Sequence, residues 1–186
     1  MTSLILETPR LILRPFRDGD AADVYAYAHD SRVGPIAGWP PHRSIEESQE
    51  IIRTVFSAPG VFALEWKGTG QVIGSAGFVG NHPAGDFLDC KDDEIGYALS
   101  PAFWGRGLVP EAITAILEYG FLELALQRIW CGHYAGNWRS KRAMEKCGFR
   151  YQFSKTEFVR LMGETRQSYF YVLTKENWRE RVSGTL

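Results

Sequence analysis

The sequence predicts a mixed α/β fold, a single domain over residues 1–186, built on a central and mostly antiparallel sheet. The predicted order is β-α-α-β-β-β-α-β-α-β-β. Three observations lead there. Short runs of alternating apolar residues recur along the chain, runs with apolar positions three and four apart lie between them, and glycine and proline clusters divide the two kinds. At 186 residues the chain has the length of one ordinary domain, with no internal repeat or low-complexity linker.

Arg10 to Phe16 alternates Leu11 and Leu13 with Ile12 and Arg14 and reads as a strand. Asp20 is placed to cap a helix carrying Ala21, Val24, Tyr25 and Ala28 on one face. Ser31 to His42 holds Gly34, Pro35, Gly38, Pro40 and Pro41 and reads as a loop. Ser44 and Glu47 form a capping box ahead of a helix burying Ser48, Ile51, Ile52 and Val55, which Ala58-Pro59-Gly60 stops. Three strand-like runs follow, Val61 to Lys67, Gln71 to Val79 and Glu94 to Leu99. Gly68-Thr69-Gly70 joins the first two as a hairpin, and the third continues the same meander. Pro110 to Leu124 has the strongest helical spacing, through Ile113, Ile116, Leu117, Gly120, Phe121 and Leu124. Arg128 to Tyr134 is a strand, and Asn137 caps a helix to Cys147 that Gly148 ends. Phe149 to Thr156 and Gln167 to Thr174 are two more strands, and Lys175 to Arg181 is a short helical tail.

Composition excludes several classes of function. Apolar residues are 45% and charged residues 23%, which is globular rather than disordered. Lysine plus arginine is 21 against 22 aspartate plus glutamate, a net charge of −1. That balance gives no bulk electrostatic reason to bind nucleic acid or an anionic membrane. Cys90, Cys131 and Cys147 contain no Cys-x-x-Cys pair and suit a reducing compartment. Met1 to Arg10 lacks a secretory pattern, and Glu111, Glu118 and Glu123 interrupt the apolar stretch Leu108 to Leu126. A soluble, cytoplasmic protein is expected. Cys131 and His133 lack further ligands at metal spacing and read as a buried core pair, so no metal is expected.

The chemistry is expected between Glu94 and Ala112. Trp104-Gly105-Arg106-Gly107-Leu108-Val109 leads from a strand end into a helix whose first position is given to Pro110. Two glycines let the backbone turn tightly and present successive N–H groups at a positive helix end, a site for phosphate. Arg106 adds a cation. A tight strand-to-helix turn explains the same residues equally well, and Glu111 in the first turn has to point away from any anion. The stretch is neither a Walker loop nor a dinucleotide fingerprint.

The element order and this loop together resemble the GNAT superfamily of acetyl-CoA-dependent N-acetyltransferases, whose signature is Gln/Arg-x-x-Gly-x-Gly/Ala. Trp104 and Val109 differ from the strict consensus, and the Trp-Gly-x-Gly form resembles the ribosomal-protein N-terminal (alanine/serine) acetyltransferase branch. A second segment, Asn137, Ser140, Met144 and Gly148-Phe149, keeps the superfamily's Asn-x-x-Ala/Ser frame, with Met144 in place of its tyrosine. Thr8-Pro9-Arg10-Leu11 and Trp178 are similar to the same branch.

The resemblance implies a GNAT fold splayed between the strands Glu94–Leu99 and Arg128–Tyr134, with acetyl-CoA as acyl donor and a primary amine, on a small molecule or a protein N-terminus, as acceptor. It implies that Trp104, Gly105, Arg106, Gly107, Leu108 and Val109 bind the pyrophosphate. Asn137 and Ser140 would face the pantetheine arm, and the backbone of Ala98 and Leu99 would hydrogen-bond it. Glu94 is implied as general base, often through water, and Ser140 as the acid for the leaving thiolate. Trp39, in the loop that lines the acceptor pocket in relatives, is implied as a substrate contact. Bland readings stand beside these. Glu94 is also a strand-end charge, Ser140 a small residue at a close approach, Trp39 an exposed aromatic, and Lys141 and Arg142 an ordinary charged helix face or partners for the ribose phosphate. Asp86, Asp89, Asp92, Asp93 and Glu94 form an acidic run that either draws in a cationic amine or is a solvated loop. A non-catalytic acyl-CoA-binding domain, or a transferase using another donor such as succinyl-CoA, are the alternatives. Monomer and homodimer are equally open.

Overall fold

The computed structural model describes residues 4–85 and 91–184. Asp86, Asp89 and Cys90 lie outside the described residues. The strands are β1 (Leu6–Glu7), β2 (Leu11–Arg14), β3 (Val61–Trp66), β4 (Gln71–Phe78), β5 (Asp92–Leu99), β6 (Arg128–Tyr134), β7 (Arg150–Val159) and β8 (Glu164–Thr174). The helices are α1 (Ala21–Ala28), α2 (Gly34–Ala37), α3 (Ile45–Thr54), α4 (Leu108–Leu122), α5 (Trp138–Lys146) and α6 (Lys175–Val182). The strands form one sheet in the order β1-β2-β3-β4-β5-β6-β8-β7. Every neighbouring pair is antiparallel except β5 and β6, which run parallel. The mixed α/β class expected from the sequence is the one observed, and its order holds apart from the added β1 and α2.

Two larger apolar clusters cover the sheet, and a small third one joins Trp130, Phe170 and Val172. The larger joins Leu11, Leu13, Leu64, Ile73, Ile95 and Ile129 of the strands to Leu108, Ile113, Ile116, Leu117 and Phe121 of α4. The second joins Ala21, Val24, Tyr27 and Ala28 of α1 to Val33 and Ile52. β4 is covered on both faces and is buried from Val72 to Phe78, which explains its lack of polar alternation.

Local chemistry departs from the sequence reading at a few points. β1 is an additional edge strand, too short to show alternation. The Gly34–Ala37 turn of helix sits inside the segment read as loop, with Pro35 in its first turn where a missing N–H costs nothing. α4 starts at Leu108, so Pro110 is its third residue, still within that turn. Asp20 does not cap α1. Its carboxylate instead takes a bidentate bond from buried Arg14, at 2.8 and 2.9 Å, and the Arg17 N–H at 2.8 Å. Ser44 and Asn137 cap as expected, accepting from Glu47 N–H at 3.1 Å and Ser140 N–H at 3.2 Å. β7 and β8 run on past the expected ends to a turn at Gly163.

Candidate active site

The ladder between β5 and β6 is short. It pairs Asp92 with Arg128, Asp93 with Ile129, Glu94 with Trp130 and Ile95 with Cys131, and stops there. Beyond Ile95 the two strands part, so the far half of β5 has an edge without a neighbour. On its other edge, Val79 N–H donates to Glu94 O at one end and Ser100 N–H to Ile73 O at the other. With an unbroken register between them, Gly96 and Ala98 therefore spend their main-chain groups on β4. Tyr97 and Leu99 turn theirs into the opening. Of the two backbone positions implied by the sequence, Leu99 faces the gap and Ala98 pairs with Ser75.

β5 ends in a 3₁₀ turn and the loop Trp104–Gly107. Trp104 fastens that loop, its indole N–H donating to Leu99 O at 2.9 Å. The Arg139 guanidinium lies 4.4 Å over its ring. Gly105 and Gly107 sit at φ 75° and 76°, a region that a side chain would strain. The N–H groups of Gly105, Arg106, Gly107, Leu108 and Val109 meet no acceptor among the described residues. Glu111 is turned away from them. It accepts from Thr8 Oγ1 at 2.6 Å, Arg10 N–H at 2.8 Å and Arg10 Nε at 2.7 Å, while Arg10 also donates to Arg106 O at 2.9 Å. The Thr8-Pro9-Arg10 opening thus clamps the loop and leaves its amides bare.

Two cavities meet where the strands part. The loop-side cavity, about 490 Å³, is bordered by Leu99, Trp104, Gly105, Gly107, Leu108, Val109, Asn137 and Ser140. Arg32, Arg139, Arg142 and Lys146 also border it, and no carboxylate does among the described residues. Bare amides and four cations fit a polyanionic ligand. Arg106 is not among the bordering residues; its guanidinium lies 5.0 Å over Phe103. Lys141 pairs with Glu145 at 3.7 Å, whereas Arg142 faces the cavity.

The hairpin-side cavity, about 440 Å³, is bordered by Glu94, Tyr134, Glu157, Phe158, Ser168 and Phe170. Ile36, Ala37, Tyr97 and Asn137 belong to both cavities. Glu94 is held by the Asn81 side-chain amide, which donates to Oε2. Gly132 makes room for it, since a β-carbon there would stand 3.1 Å from Oε1. Burial pushes the Glu94 carboxyl up to about 7, with the nearby Glu157 charge adding to the rise. Glu157 accepts from the Ser168 hydroxyl and pairs with Lys155 Nζ at 3.4 Å. Ser140 lines only the loop side, and its Oγ lies 2.7 Å from the Tyr97 hydroxyl.

Trp39 borders neither cavity. It packs on the α1/α3 cluster beside His42, with ring centroids 5.4 Å apart, and Ile36, Ala37 and Gly38 of the same segment take the place given to it. Cys131 and His133 are buried, the thiol donating to Ile95 O at 3.3 Å and the imidazole stacked on Tyr169. Asp92 and Asp93 are structural: Asp92 accepts from Trp130 Nε1 at 3.0 Å, and Asp93 from Gly80 N–H at 2.8 Å. Sequence reasoning missed Tyr97 and Glu157. Tyr97 alternates onto the core face, and Glu157 reaches the site only because the β7–β8 hairpin folds across it.

A sheet opened between parallel strands, with bare amides and cations on one side and carboxylates on the other, has room for a polyanionic ligand and a second molecule side by side. The model of the acetyltransferase (GNAT) domain matches residues 10–150, and the chain belongs to this family, which uses acetyl-CoA as cosubstrate. The chain is 31% identical to YoaA, an uncharacterized N-acetyltransferase of Bacillus subtilis strain 168, over 177 residues, 92% of this chain and 97% of the relative. It is 27% identical to the [ribosomal protein uS5]-alanine N-acetyltransferase of Escherichia coli K12 over 187 residues, 93% and 92% of the two chains. A GNAT-family acetyltransferase from Bacillus anthracis superposes with a TM-score of 0.80 at 25% identity, covering 93% of this chain and 99% of the other. Among the described residues no helix is long and apolar enough to cross a membrane.

Proposed function

We propose that this chain moves the acetyl group of acetyl-CoA to an α-amino group, by direct attack with donor and acceptor bound together. The observation that carries this reading is the meeting of the two cavities across Tyr97 and Asn137, with bare amides on one side and Glu94 on the other. The Gly105–Val109 amides bind the pyrophosphate, with Arg142 and Lys146 supplying positive charge nearby. The Leu99 N–H hydrogen-bonds the acyl-pantetheine arm at the gap and polarises the thioester carbonyl. Glu94 takes the proton of the arriving ammonium. Glu157, fixed by Ser168 and Lys155, holds that ammonium beside it. Ser140 faces the leaving sulfur.

The acidity of Glu94 selects among amines. A carboxyl near about 7 is within about one unit of an α-amino group, at roughly 7.7–8.0, but more than three below a lysine-type amine at about 10.4. Deprotonating the α-amine is therefore nearly balanced, and deprotonating an alkyl amine costs several kcal/mol more. The relative named as a [ribosomal protein uS5]-alanine N-acetyltransferase supports the same acceptor class. The test is release of CoA thiol from acetyl-CoA over a panel of short peptides with free N-termini and of alkyl amines. Turnover of α-amines above alkyl amines is expected. A raised melting temperature with acetyl-CoA but no thiol released by any amine would leave a binding domain instead.

A further inference from the structure

We propose that Tyr97 is a positioning residue which donates its hydrogen bond to Ser140 Oγ, so that the Ser140 hydroxyl aims its own proton at the leaving sulfur and stabilises a thiolate without giving that proton up. The proposal rests on the acetyl-transfer reading above and assigns the leaving-group half of the site.

The two hydroxyl oxygens are 2.7 Å apart, a normal O–H···O distance, while Tyr97 Oη also lies at a longer 3.2 Å from Ser140 O. The single phenolic proton is assigned to Ser140 Oγ, the nearer of the two oxygens. The Ser140 hydroxyl has no other partner among the described residues, and its residue borders the loop-side cavity. Met144, one turn further along α5, is fully buried and has no proton to offer. Tyr97 stands on β5 just past Ile95, the last residue paired with β6, which places its side chain where both cavities meet.

Acidity rules out outright transfer. A thiol titrates near about 8.5, whereas an alkyl hydroxyl resembles water, at about 15.7. Handing the serine proton to a thiolate would be uphill by roughly seven powers of ten. Burial pushes the Tyr97 phenol well above its ordinary value, so it keeps its proton as well. The step balances without either. The ammonium first loses one proton through Glu94 to solvent water, the amine nitrogen bonds to the acyl carbon, the nitrogen's second proton passes to Glu94, the C–S pair moves onto sulfur, and the thiolate leaves hydrogen-bonded to Ser140. A hydroxyl that already accepts a hydrogen bond is the stronger donor, which is what Tyr97 adds.

The experiment titrates the thiol of bound CoA by thiolate ultraviolet absorbance in wild type, Tyr97→Phe, Ser140→Ala and the double variant. Ser140→Ala should raise the bound-thiol pKa by about one unit and Tyr97→Phe by about half as much. Tyr97→Phe should change nothing further in the Ser140→Ala background, because it acts through that residue. Kinetically, Tyr97→Phe should lower kcat several-fold with KM for acetyl-CoA unchanged. CoA that binds with the same thiol pKa in wild type and Tyr97→Phe overturns the proposal, as do additive effects. A second measurement needs no variant. CoA at alkaline pH should give a tyrosine difference spectrum that desulfo-CoA lacks, and identical spectra from both overturn it. Failure of CoA to bind wild type would instead sink the acetyl-transfer reading.

Discussion

Replacing Glu94 by glutamine removes a charge that the fold holds at a cost, and the effect on stability has a sign fixed by pH. An ordinary glutamate loses its proton near 4.5, and burial moves Glu94 to about 7. Between those values the native state holds more protons than the unfolded chain. Stability from this group is fully present below 4.5, falls as the pH rises through about 7, and is flat above. The whole gap corresponds to about 3 kcal/mol, of which about 2.5 kcal/mol is lost between pH 5 and pH 8. Glutamine keeps an oxygen for the Asn81 amide and cannot ionise, so Glu94→Gln escapes the loss. Urea unfolding of both proteins at pH 5 and pH 8 checks this, with terms common to both cancelling. The variant should gain at pH 8 relative to pH 5 by up to that amount, or roughly 5–10 °C in melting temperature for a chain of this size. The same substitution should abolish the rise of wild-type kcat through about pH 7. A stability difference that is the same at both pH values would refute the reasoning about its buried charge.

Three further outcomes are expected. Gly105→Val places a β-branched side chain at φ 75° in the mouth of the loop, where nothing lies within 4 Å. Acetyl-CoA affinity by calorimetry should fall at least about tenfold, while unfolding changes by only about 1–2 kcal/mol. Arg10→Ala removes the bond to the Arg106 carbonyl and unpairs Glu111, so several-fold weaker acetyl-CoA binding is expected from a residue that borders neither cavity. Lys146→Ala and Arg142→Ala should each weaken acetyl-CoA binding and flatten its dependence on salt, measured as Kd against ionic strength.

The parts of this molecule readable from sequence are those governed by neighbours along the chain. The spacing of Ile113, Ile116, Leu117 and Phe121 marks α4, and the glycines flanking Arg106 mark its bent approach, because helix period and positive φ are local properties. Asn137 and Ser44 are legible as caps for the same reason. What escaped depends on distant partners. Asp20 has the pattern of a cap, but the Arg14 guanidinium competes for its carboxylate from six residues away. Trp39 has the size of a pocket wall, yet its ring is taken up by packing near α1 and α3. Glu94 was visible as a strand-end acid, while burial shifts its titration upward and part of that shift comes from the Glu157 charge on the distant hairpin Arg150–Thr174. Tyr97 alternates with core residues and looks like one, until α5 brings Ser140 against its hydroxyl.

On the proposed reading, the loop that faces the cosubstrate works through peptide amides, and those belong to every residue type alike. Between two glycines, nearly any side chain can be exchanged without touching the grip on the donor. The proposed acceptor wall is the opposite case, being made of side chains such as Glu157 and Phe158 on one hairpin. Redrawing that hairpin alone would hand the same acetyl-loading chassis a new customer, so specificity in such a molecule is free to wander while its fuel supply stays put.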